Sequence, residues 1–150
     1  MESAFNTWKT NRENSIQLIQ RYTVEQMNTT PKGFSNNLIW NIGHIVVVQQ
    51  MLWYKASHLP MLVSDDLVHR FKPVRPEMPV TAEECKSLLE LMSGLMVQSI
   101  EDYRKGIFQK FNPLRTQTGF ELNNFDDAVN FNNYHEGVHY GLLLNIRKFV

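Results

Sequence analysis

The stretch that most narrows what this chain can become is its last, Asp126 to Val150, reading DDAVNFNNYHEGVHYGLLLNIRKFV. Its apolar positions recur at helical spacing, and Ala128, Phe131, Val138, Leu142, Ile146 and Phe149 are expected to form one inward stripe. His135 and His139 sit inside or beside that stripe. Residues four apart on a helix share a face, with Cβ atoms about 5–6 Å apart, so two imidazoles there could hold one metal ion between them. Asn123 or Asn124 can cap the segment, and Asp126 and Asp127 favour its positive end.

Three other stretches repeat the helical pattern. Ala4 to Met27 carries Phe5, Trp8, Ile16, Leu18, Ile19, Tyr22 and Met27 with no Gly or Pro, which predicts one long helix ended by Pro31 and Gly33. Ser35 or Asn36 can cap a second helix through LIWNIGHIVVVQQMLWYKAS, whose stripe holds Trp40, His44, Val47, Val48, Met51 and Tyr54 or Lys55. The β-branched valines there oppose a helix mildly, but the length of the span decides for one. Thr81 and Glu84 make a capping box, opening a third helix through Leu88, Leu89, Leu91, Met92, Leu95, Met96, Ile100 and Tyr103 to about Phe108, with Pro113 closing it.

The connectors are unequal. Leu59 to Pro79 holds Pro60, Pro73, Pro76 and Pro79, with room for a short helix over Ser64–Phe71 capped by Ser64. Met61, Leu62, Leu67, Val68, Phe71 and Met78 favour a loop that packs down, over a cleft. Asn112 to Asn124 reads as an extended or hairpin-like connector. Four long amphipathic helices joined this way predict an all-α four-helix bundle in a single domain, residues 1–150, whose long crossover allows helices two and three to run parallel.

Composition removes several function classes. Lys plus Arg equals Asp plus Glu at 15 each, and no basic cluster stands out, which argues against a nucleic-acid partner. The single cysteine, Cys85, excludes an internal disulfide and a Cys-rich zinc finger, and points to a reducing compartment. The start MESAFNTWKTNRENS has no signal-peptide pattern, and no apolar run approaches the ~20 residues of a membrane span. No membrane partner and a cytoplasmic location are therefore expected.

HEGVH, residues 135 to 139, matches the zinc-protease motif H-E-x-x-H with its Glu as general base. A protease of that kind needs a third ligand, usually downstream, and no His, Asp or Glu follows His139. His44 is the better third ligand, on the inward stripe of helix two and preceded by Gly43, where a neighbour can come close. One His from one helix and an i, i+4 pair from another is an arrangement that bundle cores use for metals. Three neutral imidazoles suit Zn²⁺, Ni²⁺ or Fe²⁺ and leave positions open. A lone His on an apolar face is usually a hydrogen-bonded core residue, but three inward ones each need a partner. His58 and His69 are expected to be exposed, Cys85 to be structural, and Trp40, Trp53, Phe131, Tyr134 and Tyr140 to be mostly core, with some lining a pocket. Glu136 is a candidate base, turned about 100° from His135, with a supporting or surface role as the alternative.

NNLIWNIGHIVVVQQ, YHEGVHYGLLLNIRKF and the spacing of their histidines give the chain a specific likeness. It resembles the DinB/YfiT-like superfamily over essentially its whole length, and LPMLVSDDLVHRFKPVRPEMP looks like the form found in bacterial members. The resemblance implies an up-down-down-up four-helix bundle with the long Pro-rich crossover between helices two and three. It also implies a divalent metal held by His44, His135 and His139, and a homodimer. Relatives include thiol S-transferases that use a low-molecular-weight thiol cosubstrate and a thiol-dependent isomerase, so an S-transferase or a hydrolase acting on a small-molecule substrate is expected. A metal-holding bundle without catalysis, and an empty stress-related dimerisation module, are the competing expectations.

Overall fold

The computed structural model describes residues 1–150 and is mostly helical. In chain order it forms α1 (Glu2–Ile19), α2 (Val24–Asn28), α3 (Leu38–Gln50) continued by a π-helical turn at Met51–Lys55, α4 (Asp65–Phe71) and α5 (Ala82–Arg104). Strands β1 (Leu114–Arg115) and β2 (Glu121–Leu122) pair as an antiparallel hairpin, and α6 (Phe125–Ile146) follows. The long helices α1, α3, α5 and α6 pack together, with α6 against α1 and α3, and α5 against the same two. No helix is long and apolar enough to cross a membrane.

Local chemistry sets most element ends where the residues predict them. Ser64, Thr81 and Asn124 accept from the backbone N–H groups of Leu67, Glu84 and Asp127, and the hairpin occupies the connector expected to be extended. Four boundaries need correction. The single helix expected over Ala4–Met27 is two, because Thr23 and Gln26 close a reciprocal capping box that starts a new helix. Helix α3 is capped by Asn37 rather than Ser35 or Asn36, its side chain accepting from Trp40 N–H at 2.9 Å. Its last turn opens into a π-helix, one residue wider than an α-turn. Helix α5 stops at Arg104 instead of Phe108, since Gly106 takes φ 71° and Ile107 N–H reaches back to the Asp102 carbonyl, the left-handed ending that glycine favours.

The interior has two apolar halves and a polar belt between them. Leu18 and Ile19 of α1, Leu38 to Val47 of α3, Leu88 and Met92 of α5, and Leu143 and Ile146 of α6 share one cluster. Phe5 and Trp8, Leu52 to Tyr54, Met96, and Phe125, Ala128 and Val129 share the other. Between those groups on α1, α3 and α6 lie the buried residues Arg12 and Ser15, Gln49 and Gln50, and Asn132, Glu136 and His139. The inward line of α6 is therefore Phe125, Val129, Asn132, Glu136, His139, Leu143 and Ile146. This corrects the stripe expected from apolar residues alone: Val138 is 46% exposed and Phe149 63%. Three polar side chains occupy the core face, so apolar periodicity pointed to a neighbouring one.

Candidate metal centre

His44 comes from α3, and His135 and His139 from α6, whose Asn124 cap and buried line fix the helix's rotation. One ring nitrogen of each lies within 4.8 Å of the other two, a grouping that could hold a metal ion. His139 is buried at 8% exposure, and His44 and His135 are partly exposed, so the cluster is reachable from one side.

Two of the rings have their tautomer set by neighbours. His139 Nδ1 lies 2.7 Å from Asn41 Oδ1. The Asn41 amide nitrogen donates to Asn36 Oδ1 and to the Asn37 carbonyl, which leaves its oxygen as the acceptor facing the histidine. Nδ1 of His139 therefore carries the proton, and Nε2 presents a lone pair. His44 Nδ1 likewise donates to the Phe71 carbonyl at 2.7 Å, again leaving Nε2 free. Trp40 stacks on His44 with ring centroids 4.5 Å apart. Oriented imidazoles that donate from the far nitrogen are the usual form of histidine ligands.

His135 is held differently. Its Nε2 is 3.2 Å from His139 Nε2, and its Nδ1 is buried with no partner. Whichever nitrogen carries the proton, one of the two lacks a hydrogen-bonding partner. Burial depresses all three pKa values: His44 against the opposing bond to Phe71, His135 to about 4 with help from His44, and His139 to about 2 with help from both neighbours. The rings are neutral near pH 7, the form that ligates metals. A borderline, all-imidazole donor set with an orphaned nitrogen fits a divalent transition ion.

Glu136, beside His135 in the chain, belongs to another cluster. Its carboxylate accepts from Trp8 Nε1 at 2.8 Å, Arg12 Nη2 at 2.8 Å, Arg12 Nε at 3.2 Å and Asn132 Nδ2 at 3.1 Å. Arg12 also donates to the Met92 carbonyl at 2.8 Å, and both charged side chains are fully buried. Its suggested surface role is thus overturned. Arg12, Trp8 and Asn132 were missed as members of a buried network, because a lone Arg on an amphipathic helix carries no sign that it turns inward.

His58 and His69 are exposed and outside the histidine cluster. Cys85 is a buried free thiol whose pKa is raised by burial and by Glu84. Trp40 and Trp53 are buried, while Tyr134 is 50% exposed and lies against Phe120 on the hairpin rather than in the core. The fold, the three neutral imidazoles and their spacing fit a metal-binding protein. A sequence model of the DinB superfamily matches residues 7–143. No curated protein matches the chain.

Proposed function

The chain belongs to the DinB superfamily, and from that premise we propose that it is a divalent-metal-dependent enzyme acting on a small molecule, a thiol S-transferase or a hydrolase. The observation that carries this is the convergence of His44, His135 and His139 from two helices, with one donor atom of each within 4.8 Å. Those three residues would be the ligands, through Nε2 of His44 and His139. Zn²⁺, Ni²⁺ and Fe²⁺ suit such a set. A divalent ion there would act as a Lewis acid, lowering the pKa of a thiol or a water brought to its open side.

The protein's own residues supply orientation. Asn41 and Phe71 aim two rings, and the polar belt fixes the rotation of α6. Glu136 is left without a proton-transfer role, because Arg12, Trp8 and Asn132 already engage its carboxylate. The wider reading is one domain with the long helices running up-down-down-up, the Pro-rich segment crossing between α3 and α5, a cytoplasmic location and a homodimer. Metal analysis of untagged protein tests the core of it. One equivalent in the wild type, lost in His44→Ala, His135→Ala and His139→Ala, is expected; retention by all three variants would overturn the ligand set. A Co²⁺ spectrum that azide or a small thiol perturbs supports an enzyme, and an unresponsive spectrum favours a closed, non-catalytic centre.

A further inference from the structure

We propose that Phe71 is a positioning residue for His44, and that it can serve as one only because residue 43 is glycine. A Cβ placed on Gly43 would lie 2.3 to 2.5 Å from three carbons of the Phe71 ring, far inside contact distance. The ring thus occupies the space a side chain at 43 would take. Phe71 is 2% exposed, the most deeply buried residue of its short helix, whose Leu67 and Val68 pack beside it against the core.

That seat delivers a backbone atom to the metal centre. Phe71 closes α4, so its carbonyl has no acceptor duty within the helix. It accepts instead from His44 Nδ1 at 2.7 Å, one residue along α3 from the glycine that seats the ring. Ring and carbonyl therefore grip adjacent positions of α3, and His44 Nε2 is presented as the free donor.

The grip is braced by the residue before Phe71. The Arg70 guanidinium stands 5.5 Å from the Phe71 ring centroid. It pairs with Glu84 and donates to the Pro79 carbonyl at 2.8 Å. Glu84 is the residue whose carboxylate closes the α5 capping box by accepting from Thr81 N–H at 2.7 Å. A continuous chain of contacts thus runs from the start of α5 through Arg70 and Phe71 to His44. Docking of α4 and binding at the histidines then share one free energy, and each favours the other by the same factor.

Resting on the ligand set proposed above, the test has one arm that needs no metal. Imidazole ¹⁵N NMR of the metal-free protein should show His44 protonated at Nδ1. Gly43→Ala should lose that signature while His139, held by Asn41, keeps its own. Zn²⁺ affinity should fall about 10–100-fold in Gly43→Ala, the usual effect of releasing a ligand's hydrogen-bond partner. Phe71→Ala should weaken binding in the same direction, and the double variant should bind no more weakly than Phe71→Ala, since no ring remains for the methyl to displace. Arg70→Ala, which leaves the core untouched, gives a smaller loss and serves if Gly43→Ala does not fold. An unchanged His44 tautomer and unchanged Zn²⁺ affinity in every folded variant would overturn the assignment. If the wild type binds no metal, the ligand set falls, and the NMR arm alone decides the role of Phe71.

Discussion

His135 and Glu136 are neighbours on α6, yet they face two polar clusters built on opposite terms. Around Glu136 the charged groups are well engaged: Trp8, Asn132 and a forked Arg12 meet the carboxylate, Arg12 spends another N–H on the Met92 carbonyl, and the Asn132 amide oxygen is left without a partner. Around His135, two Nε2 atoms face each other at 3.2 Å and a buried Nδ1 goes unpaired. A paired ion cluster specifies packing, while an underpaired group of neutral nitrogens keeps lone pairs that a metal ion could take. The difference separates a structural cluster from the proposed metal ligands within a single turn of helix.

The comparison can be broken first where the effect is largest. Arg12→Ala leaves the Glu136 charge buried without its partner, and urea unfolding should show a loss of about 3–5 kcal/mol. Replacing both by apolar residues, Arg12→Met with Glu136→Leu, should cost clearly less than Arg12→Ala alone. A stability loss near zero for Arg12→Ala would remove the structural role given to this cluster.

At the histidines the large effect is on metal linkage rather than on the metal-free fold. Zn²⁺ at 100 times its dissociation constant should add about 2.7 kcal/mol to wild-type stability and nothing to His139→Ala. Equal stabilisation of both proteins would show that Zn²⁺ binds elsewhere.

Acid sharpens the contrast next. The folded-state pKa values of His135 and His139 lie below the ordinary 6.5, so as pH falls the unfolded chain takes up protons first. Their contribution is complete above about pH 6.5 and is lost as pH drops toward the value of about 4 held by His135. Urea midpoints of the metal-free protein at pH 7, 5.5 and 4.5 should decline, and less steeply in His139→Ala. The smallest effect belongs to an exposed ion pair. Arg104 reaches Glu2 at 3.3 Å on the surface, and Arg104→Ala should change stability by about 0–0.5 kcal/mol in the same assay.

Much of the centre was legible because histidines on helical segments are conspicuous and their spacing carries geometry. His44, His135 and His139 could be chosen from the sequence, and the Ser64 and Thr81 caps announced their helices. What stayed hidden depended on rotation and on long-range pairing. The true inward line of α6 runs through Asn132, Glu136 and His139, and apolar residues at Val138 and Leu142 pulled the expected stripe off it. Arg12 is buried only because α6 brings a carboxylate to it from far along the chain. The break after Ile19 had a local signal, Thr23 with Gln26, but no Gly or Pro to draw attention to it.

The polar belt also constrains how the helices can slide. Apolar faces alone tolerate axial slip, because a leucine meets another leucine nearly as well one turn along. Here α1, α3 and α6 each carry polar residues at the boundary between the two clusters. Shifting α1 by one turn, about 5.4 Å, would carry Arg12 out of reach of Glu136 and into apolar surroundings. The belt acts as a vernier mark. It makes misaligned packings expensive, so the chain reaches one axial alignment, the one in which His44 of α3 arrives beside the His135 and His139 pair of α6.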